Sequence, residues 1–360
     1  EQNTVFSCGS HVDAAGNAGA ADTSADSGAV TTDLTVPTLS NIVEATSGSG
    51  DANNGDSVSL TITASEAIQQ PTCTYSSGGA AMASTPTYSG SGTSWTSSIA
   101  VADGDTNGAV TFSCAYSDLA GNAGVADTTP NSGDVTVDNT HPTLSAAVLA
   151  IGGSGNGNNG DSMTLTITPS ETIGTPTCTF TSGGAAMANT VSYSTSGGDH
   201  ICTIAVADAD TNGAVAFTVD FSDSAGNAGT QVTSATSGAV TIDNTHPTIS
   251  AVSAAWGTHL NAAEDNSAGT VTVTTSGAED GQTVTTTING VTDTCSVSSN
   301  SCAVTVAASD LQGLTSGTTY TIAVDVSDAA GNAATQNTGT SFVYDSPLPT
   351  VSSIAVTGVT

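Results

Sequence analysis

A phrase that returns every 105 residues constrains this chain more than any other feature. DAAGNAG starts at Asp13, DLAGNAG at Asp118, DSAGNAG at Asp223 and DAAGNAA at Asp328, each 105 residues after the one before. A second marker, an Asp four residues before a Pro, falls at Asp33/Pro37, Asp138/Pro142, Asp243/Pro247 and Asp345/Pro349, with steps of 105, 105 and 102. Self-similarity at a fixed period means one structural unit copied in tandem, and a period of this length is that of a small domain. The frame predicts three whole copies, 37–141, 142–246 and 247–348. Residues 1–36 read as the C-terminal part of a preceding copy and 349–360 as the first strand of a following one, so a segment of a longer array is expected.

Within a copy, apolar residues alternate with Ser and Thr. Val58, Leu60 and Ile62 do so, as do Met163, Leu165 and Ile167 one period later. Val110, Phe112, Cys114 and Tyr116 are matched by Val215, Phe217, Val219 and Phe221, and by Tyr320, Ile322, Val324 and Val326. A period of two marks half-buried antiparallel strands. About seven such runs per copy, broken by Gly, Asn, Asp and Ser, predict an all-β sandwich, and no segment carries a helical period. Only 14 aromatics and 40 glycines in 360 residues imply a thin core.

The chain holds no Lys or Arg against 32 acidic residues, for a formal charge of −32. That excludes nucleic-acid binding through phosphates, attraction to anionic lipid and a basic clamp for phosphoryl transfer. No apolar run reaches the ~20 residues of a membrane span. Catalysis finds no foothold. His11, His141, His200, His246 and His259 lack Cys or His partners at metal spacing, and His141 and His246 recur only as part of an NTHP linker. No Ser stands in a GxSxG elbow, and the glycine-rich residues 152–160 lack the GK[ST] of a phosphate loop. Trp95 and Trp256 read as core or edge residues.

Tandem units of this size with an SDxAGNxG turn (residues 117–124 and 222–229) and a VTxDNTxPT linker (135–143 and 240–248) resemble the bacterial-type Ig-like repeats of large surface adhesins. The resemblance implies Ig-like sandwiches arranged as an extended rod, outside the cell. The leading expectation is a structural stretch of a long extracellular fibre, stalk or filament, whose partners are neighbouring repeats and like subunits. The alternative is an adhesion or ligand-binding module, which calls for an exposed aromatic-rich loop in one copy.

Seven cysteines sort against the frame. Cys73 and Cys114 are the only two in their copy, as are Cys178 and Cys202, and Cys295 and Cys302. Cys8 sits one period before Cys114, so its partner is expected outside the chain. No CxxC pair suggests a metal, which leaves three disulfides within copies or buried free thiols. Disulfides imply an oxidising compartment.

The acidic loops suggest a cation. In a traverse of alternating strands, Asp56, Asp103, Asp105 and Asp138 gather at one pole and face Asp223 and Asn227 of the next copy. Asp161, Asp208, Asp210 and Asp243 likewise face Asp328 and Asn332. Clustered hard oxygens are what calcium takes. The competing reading is that Asp, Asn and Gly are simply turn formers.

Trypsin cuts only after Lys or Arg. Native or unfolded, residues 1–360 should therefore emerge from trypsin uncut. A fragment ending inside that span, seen by mass spectrometry, contradicts the expectation.

Overall fold

The computed structural model describes residues 2–3, 12–19, 31–153, 155–346, 351, 353–354 and 357–358. Cys8 and most of the expected flanking segments 1–36 and 349–360 lie outside the described residues. Compact packing divides the chain into two units. One holds Glu1–Thr143 with Ser170–Pro176 and Asp220–Thr230, and the other holds Leu144–Pro169, Thr177–Val219 and Gln231–Thr360.

In the first unit, Leu39–Thr46, Ser57–Ala64, Ser94–Ala100 and Thr87–Ser91 form one antiparallel sheet in that spatial order. Thr136–Val137, Gly108–Ala115, Thr72–Ser77 and Ala80–Ala81 form the other. The alternating residues do what their period demands. Ile42, Val58, Leu60, Ile62 and Ile99 point from the first sheet into one core with Tyr75, Phe112, Cys114 and Val137 from the second. The hairpin between Ser77 and Ala80 turns on Gly78 at φ +55°, where a Cβ would stand 2.2 Å from the Asn107 carbonyl oxygen. Both the backbone conformation and the close approach require glycine there.

The second unit repeats the plan. Leu144–Ile151, Ser162–Pro169, Asp199–Ala205 and Ser192–Ser196 make one sheet, and Ala185–Ala186, Thr177–Ser182, Gly213–Asp220 and Thr241–Ile242 the other. It continues with a three-stranded sheet of Thr248–Ala254, Gly269–Ser276 and Ser301–Val306. Opposite lie His259–Asn261, Asn337–Asp345, Thr319–Val326, Thr283–Ile288 and Val291–Ser296. The chain is thus all-β, built of tandem Ig-like sandwiches. Two details depart from the sequence expectation. Extra strands such as Ala80–Ala81 and Thr136–Val137 are too short to alternate, and one helical turn, Ala308–Gln312, is too short to show a period while still burying Leu311. Among the described residues no helix is long and apolar enough to cross a membrane.

Three disulfides form: Cys73–Cys114, Cys178–Cys202 and Cys295–Cys302, with Cα separations of 4.0, 6.4 and 5.9 Å. The first joins residues directly opposite on neighbouring strands of one sheet. The other two join facing sheets. Val219 fills the place of Cys114 one period on, and the partner of Cys178 comes instead from Cys202 on the opposite sheet, equally buried. A staple can migrate this way because both sites face one core.

Glu44 breaks the pattern of that core. It occupies a core-facing strand position, opposite Leu60, and is only 4 % exposed. One period later the position holds Leu149. The Oε1 atom of Glu44 is buried without a hydrogen-bond partner. Burial pushes its carboxyl above the ordinary range; the Val135 amide opposes this, and the Asp134 charge adds to it. A carboxyl with a raised folded-state pKa binds its proton more tightly in the fold. Its contribution is complete at low pH and is lost as pH rises from the ordinary glutamate range through the raised value. Glu44→Leu should therefore stabilise this sandwich at neutral pH by about 1–3 kcal/mol. It should also remove part of the decline in stability with rising pH, read from urea unfolding at several pH values.

Candidate metal centre

The recurring Asp-x-Ala-Gly-Asn phrase is a turn closed by its own ends. The Asp223 Oδ1 accepts the Gly226 and Asn227 amides, both at 2.8 Å. Its Oδ2 accepts Asn227 Nδ2 at 2.8 Å. A side-chain amide has two hydrogens, and the second reaches a distant segment. Asn227 Nδ2 also donates to the Asp138 carbonyl at 2.8 Å. Asn122 does the same between Asp118 Oδ2 (2.7 Å) and the Asp33 carbonyl (3.0 Å). Asn332 spans Asp328 Oδ2 (2.9 Å) and the Asp243 carbonyl (2.7 Å). The two phrases that establish the period are therefore partners in space, 89 residues apart. The recurring histidines join in: Nδ1 of His141 donates to the Ala228 carbonyl and Nδ1 of His246 to the Ala333 carbonyl, both at 2.8 Å. The first such joint has Val36 at the histidine position.

Carboxylates converge on these turns. Oxygens of Asp33, Glu66 and Asp118 all lie within 4.8 Å of one another, and so do those of Asp138, Glu171 and Asp223. Asp118 and Asp223 are buried, at 1 % and 7 % exposure. Burial pushes the Glu66 carboxyl up, and the charges of Asp33 and Asp118 push it further. Burial, then Asp138 and Asp223, raise Glu171 in the same way. Burial also pushes Asp118 upward, but bonds from the Asn122 side chain and the Asn122, Gly121 and Ala120 amides outweigh it and hold that carboxyl low. Each cluster thus sets an aspartate held in a cage of hydrogen bonds beside a glutamate whose carboxyl is pushed up.

A divalent cation fits this donor set. Two oxygens bound to one calcium at ~2.3–2.6 Å lie at most about 5 Å apart, which the 4.8 Å grouping satisfies. Glu66 Oε1 is buried with no hydrogen-bond partner, an acceptor that such an ion would fill.

Of the residues singled out in the sequence, the structure brings together Asp138, Asp223 and Asn227. The loops of Asp56 and Asp105 do meet the linker at one pole: Asp138 N donates to the Ala52 carbonyl, Val101 N to that of Asp56, and Asn139 Nδ2 to that of Asp105. A Cβ on Gly50 would stand 2.9 Å from the Ser224 carbonyl, so this pole also touches the turn of Asp223. Their carboxylates are used locally. Asp56 accepts Asn53 N and Ser47 Oγ, while Asp105 accepts Ala83 N and Ala102 N. Asp161 and Asp210 repeat this on Asn158 N, and on Ala188 N and Ala207 N. Asp103 and Asp208 are exposed. Asp243, Asp328 and Asn332 meet, but Asp243 and Asp328 belong to no three-acid group among the described residues. By strand register Thr275 matches Pro169 and Ser276 matches Ser170, so Gly277 stands there in place of Glu171, and Glu279, two residues on, accepts the Ala329 amide at 2.8 Å.

Glu66 and Glu171 were missed in the sequence. Their signal was present: a Ser-Glu pair recurring at 105 residues in a chain with only 6 Glu.

Without divalent ions, Glu171→Gln should raise thermal stability at neutral pH and flatten its fall with rising pH, because the raised carboxyl costs stability once ionised. Asn227→Ala strands the Asp138 carbonyl and Asp223 Oδ2, and should cost about 1–3 kcal/mol. Thermal melts of the full chain in chelator check both.

No protein-family model matches the chain, and no curated protein matches it. Among solved structures, it is similar to a Ca2+-stabilized adhesin with which an Antarctic bacterium reaches out and binds ice. That match has 26% identity, covers 94% of this chain and 80% of that one, and has a TM-score of 0.43. A 1.5-MDa bacterial ice-binding adhesin matches at 23% identity over 88% of this chain and 100% of that one, with a TM-score of 0.37. An I-band fragment of titin matches at 9% identity over 88% and 100%, with a TM-score of 0.40.

Proposed function

We propose that this chain is a structural segment of a long extracellular fibre or stalk, made of Ig-like domains at 37–141, 142–246 and 247–348 and stiffened by calcium at its joints. The single observation that carries the reading is the shared use of the Asp-x-Ala-Gly-Asn turn. In three places its Asn leaves its own loop to bond the carbonyl of a linker Asp 89 residues earlier. A linker free to swing needs no such bond. The Asp33–Glu66–Asp118 and Asp138–Glu171–Asp223 groups would hold the ions, which supply positive charge that the chain itself lacks. The disulfides support a location outside the reducing cytosol.

Removing the ion should loosen the joints before it unfolds the sandwiches, since binding stabilises only the ordered joint. Small-angle scattering in calcium and then in chelator tests this. We expect a longer, stiffer particle with calcium. Unchanged maximum dimension and flexibility would reduce the joints to ordinary turns.

A further inference from the structure

Asparagine followed by glycine is where a protein chain most readily modifies itself. The glycine nitrogen attacks the asparagine side chain, and without a Cβ the glycine does nothing to shield it. This chain has six such pairs, starting at Asn54, Asn107, Asn156, Asn159, Asn212 and Asn289. Ring closure needs two free groups, the side-chain amide that is attacked and the backbone nitrogen that attacks. Hydrogen bonding withholds one or the other at five of the six.

Asn107 is held by its side chain. Its Oδ1 accepts the Asn139 amide at 2.8 Å, and its Nδ2 donates to Asp138 Oδ1 at 3.0 Å and to Thr140 Oγ1 at 2.6 Å. Asn212 repeats this one period on, with Asn244 N, Asp243 Oδ1 and Thr245 Oγ1 at 2.8, 3.0 and 2.6 Å. At the next three pairs the nitrogen is held instead. Gly55 N donates to the Val101 carbonyl at 3.1 Å, Gly157 N to that of Thr241 at 2.8 Å and Gly160 N to that of Val206 at 3.0 Å.

Asn289 differs in both respects. Asn289 and Gly290 form the two-residue loop between Thr283–Ile288 and Val291–Ser296, and Ile288 pairs with Val291 across it. Their φ angles of +48° and +80° are those of a type I′ turn, whose closing bond joins the flanking residues and leaves the Gly290 N–H out. Both residues are exposed. Among the described residues neither the Asn289 side chain nor Gly290 N has a hydrogen-bond partner.

We propose that Asn289 is a self-modification site, at which the third sandwich acquires aspartate or isoaspartate with age. Gly290 N gives its proton to solvent base and bonds to Asn289 Cγ. The Cγ–Nδ2 bond breaks, and Nδ2 leaves as ammonia from a closed succinimide. Water then opens the ring. Opening at the side-chain carbonyl restores the chain as aspartate, and opening at the main-chain carbonyl routes it through Cγ as isoaspartate. Water is consumed and ammonia released, with nothing oxidised or reduced. Either product places a new charge beside the uncharged cross-strand pair Thr287–Thr292, and isoaspartate also lengthens the turn by one backbone carbon. The proposal is independent of the calcium-joint reading.

The full chain, disulfides intact, is aged in mildly alkaline buffer at physiological temperature, then cut before its aspartates and read by mass spectrometry. Asn289 lies in the peptide from Asp280 to Thr292. The expected result is conversion there about tenfold faster than at any other Asn-Gly pair, because each of those must first break its hydrogen bonds. Aspartate at 289 opens a new cut and isoaspartate resists it, which separates the two products. In urea with the disulfides reduced, all six pairs should convert at similar rates, since the fold alone distinguishes them. A native chain in which Asn289 stays intact, or in which another pair keeps pace with it, overturns the proposal. So does the same ranking in urea.

Discussion

Carboxylates in this chain have no cationic side chain to meet except five histidines, and that constraint shapes its turns. A buried or crowded carboxylate then needs backbone amides, side-chain amides, a proton or an ion from solution. The turns use the first two in a fixed pattern. Asp223 receives two amides on one oxygen and Asn227 on the other. Asp105 and Asp210 each take two amides from neighbouring segments. Only after those aspartates are satisfied does one acid per cluster, Glu66 or Glu171, remain under-solvated beside two others.

The same economy governs the interior. With few aromatics available, each sandwich fills its core from the alternating faces of two sheets and adds one disulfide. Comparison of copies shows which features are free to vary. A core site tolerates Cys114 or Val219, and a neighbouring one Glu44 or Leu149, because packing asks only that the position face inward. The Asp–Asn–linker bond is present in all three joints, whereas the third glutamate is lost at Gly277 and the histidine is lost at Val36.

Much of this was legible in the sequence because period and alternation are direct consequences of tandem folding and of the strand pleat. The long strands and the cysteine pairs followed from them. Two-residue strands, the helical turn at Ala308–Gln312 and the choice between pairing within a sheet and across sheets did not, since none leaves a periodic trace. The acidic loops misdirected attention in an instructive way. NNGD and DGDTNG are rich in oxygen, yet Asp56 and Asp105 use theirs on nearby amides, whereas the inconspicuous Glu171 after a strand end is carried by the fold to Asp138 and Asp223. Sequence shows which oxygens exist, and hydrogen bonding decides which remain available.

The most direct test of cation binding at the joints is a count. Equilibrium calcium titration of the full chain should find two sites, one each for Asp33–Glu66–Asp118 and Asp138–Glu171–Asp223, with Glu66→Gln and Glu171→Gln each weakening or abolishing one. The joint of Asp243 and Asp328 should contribute none. Absence of calcium binding, or sites indifferent to both substitutions, would contradict it.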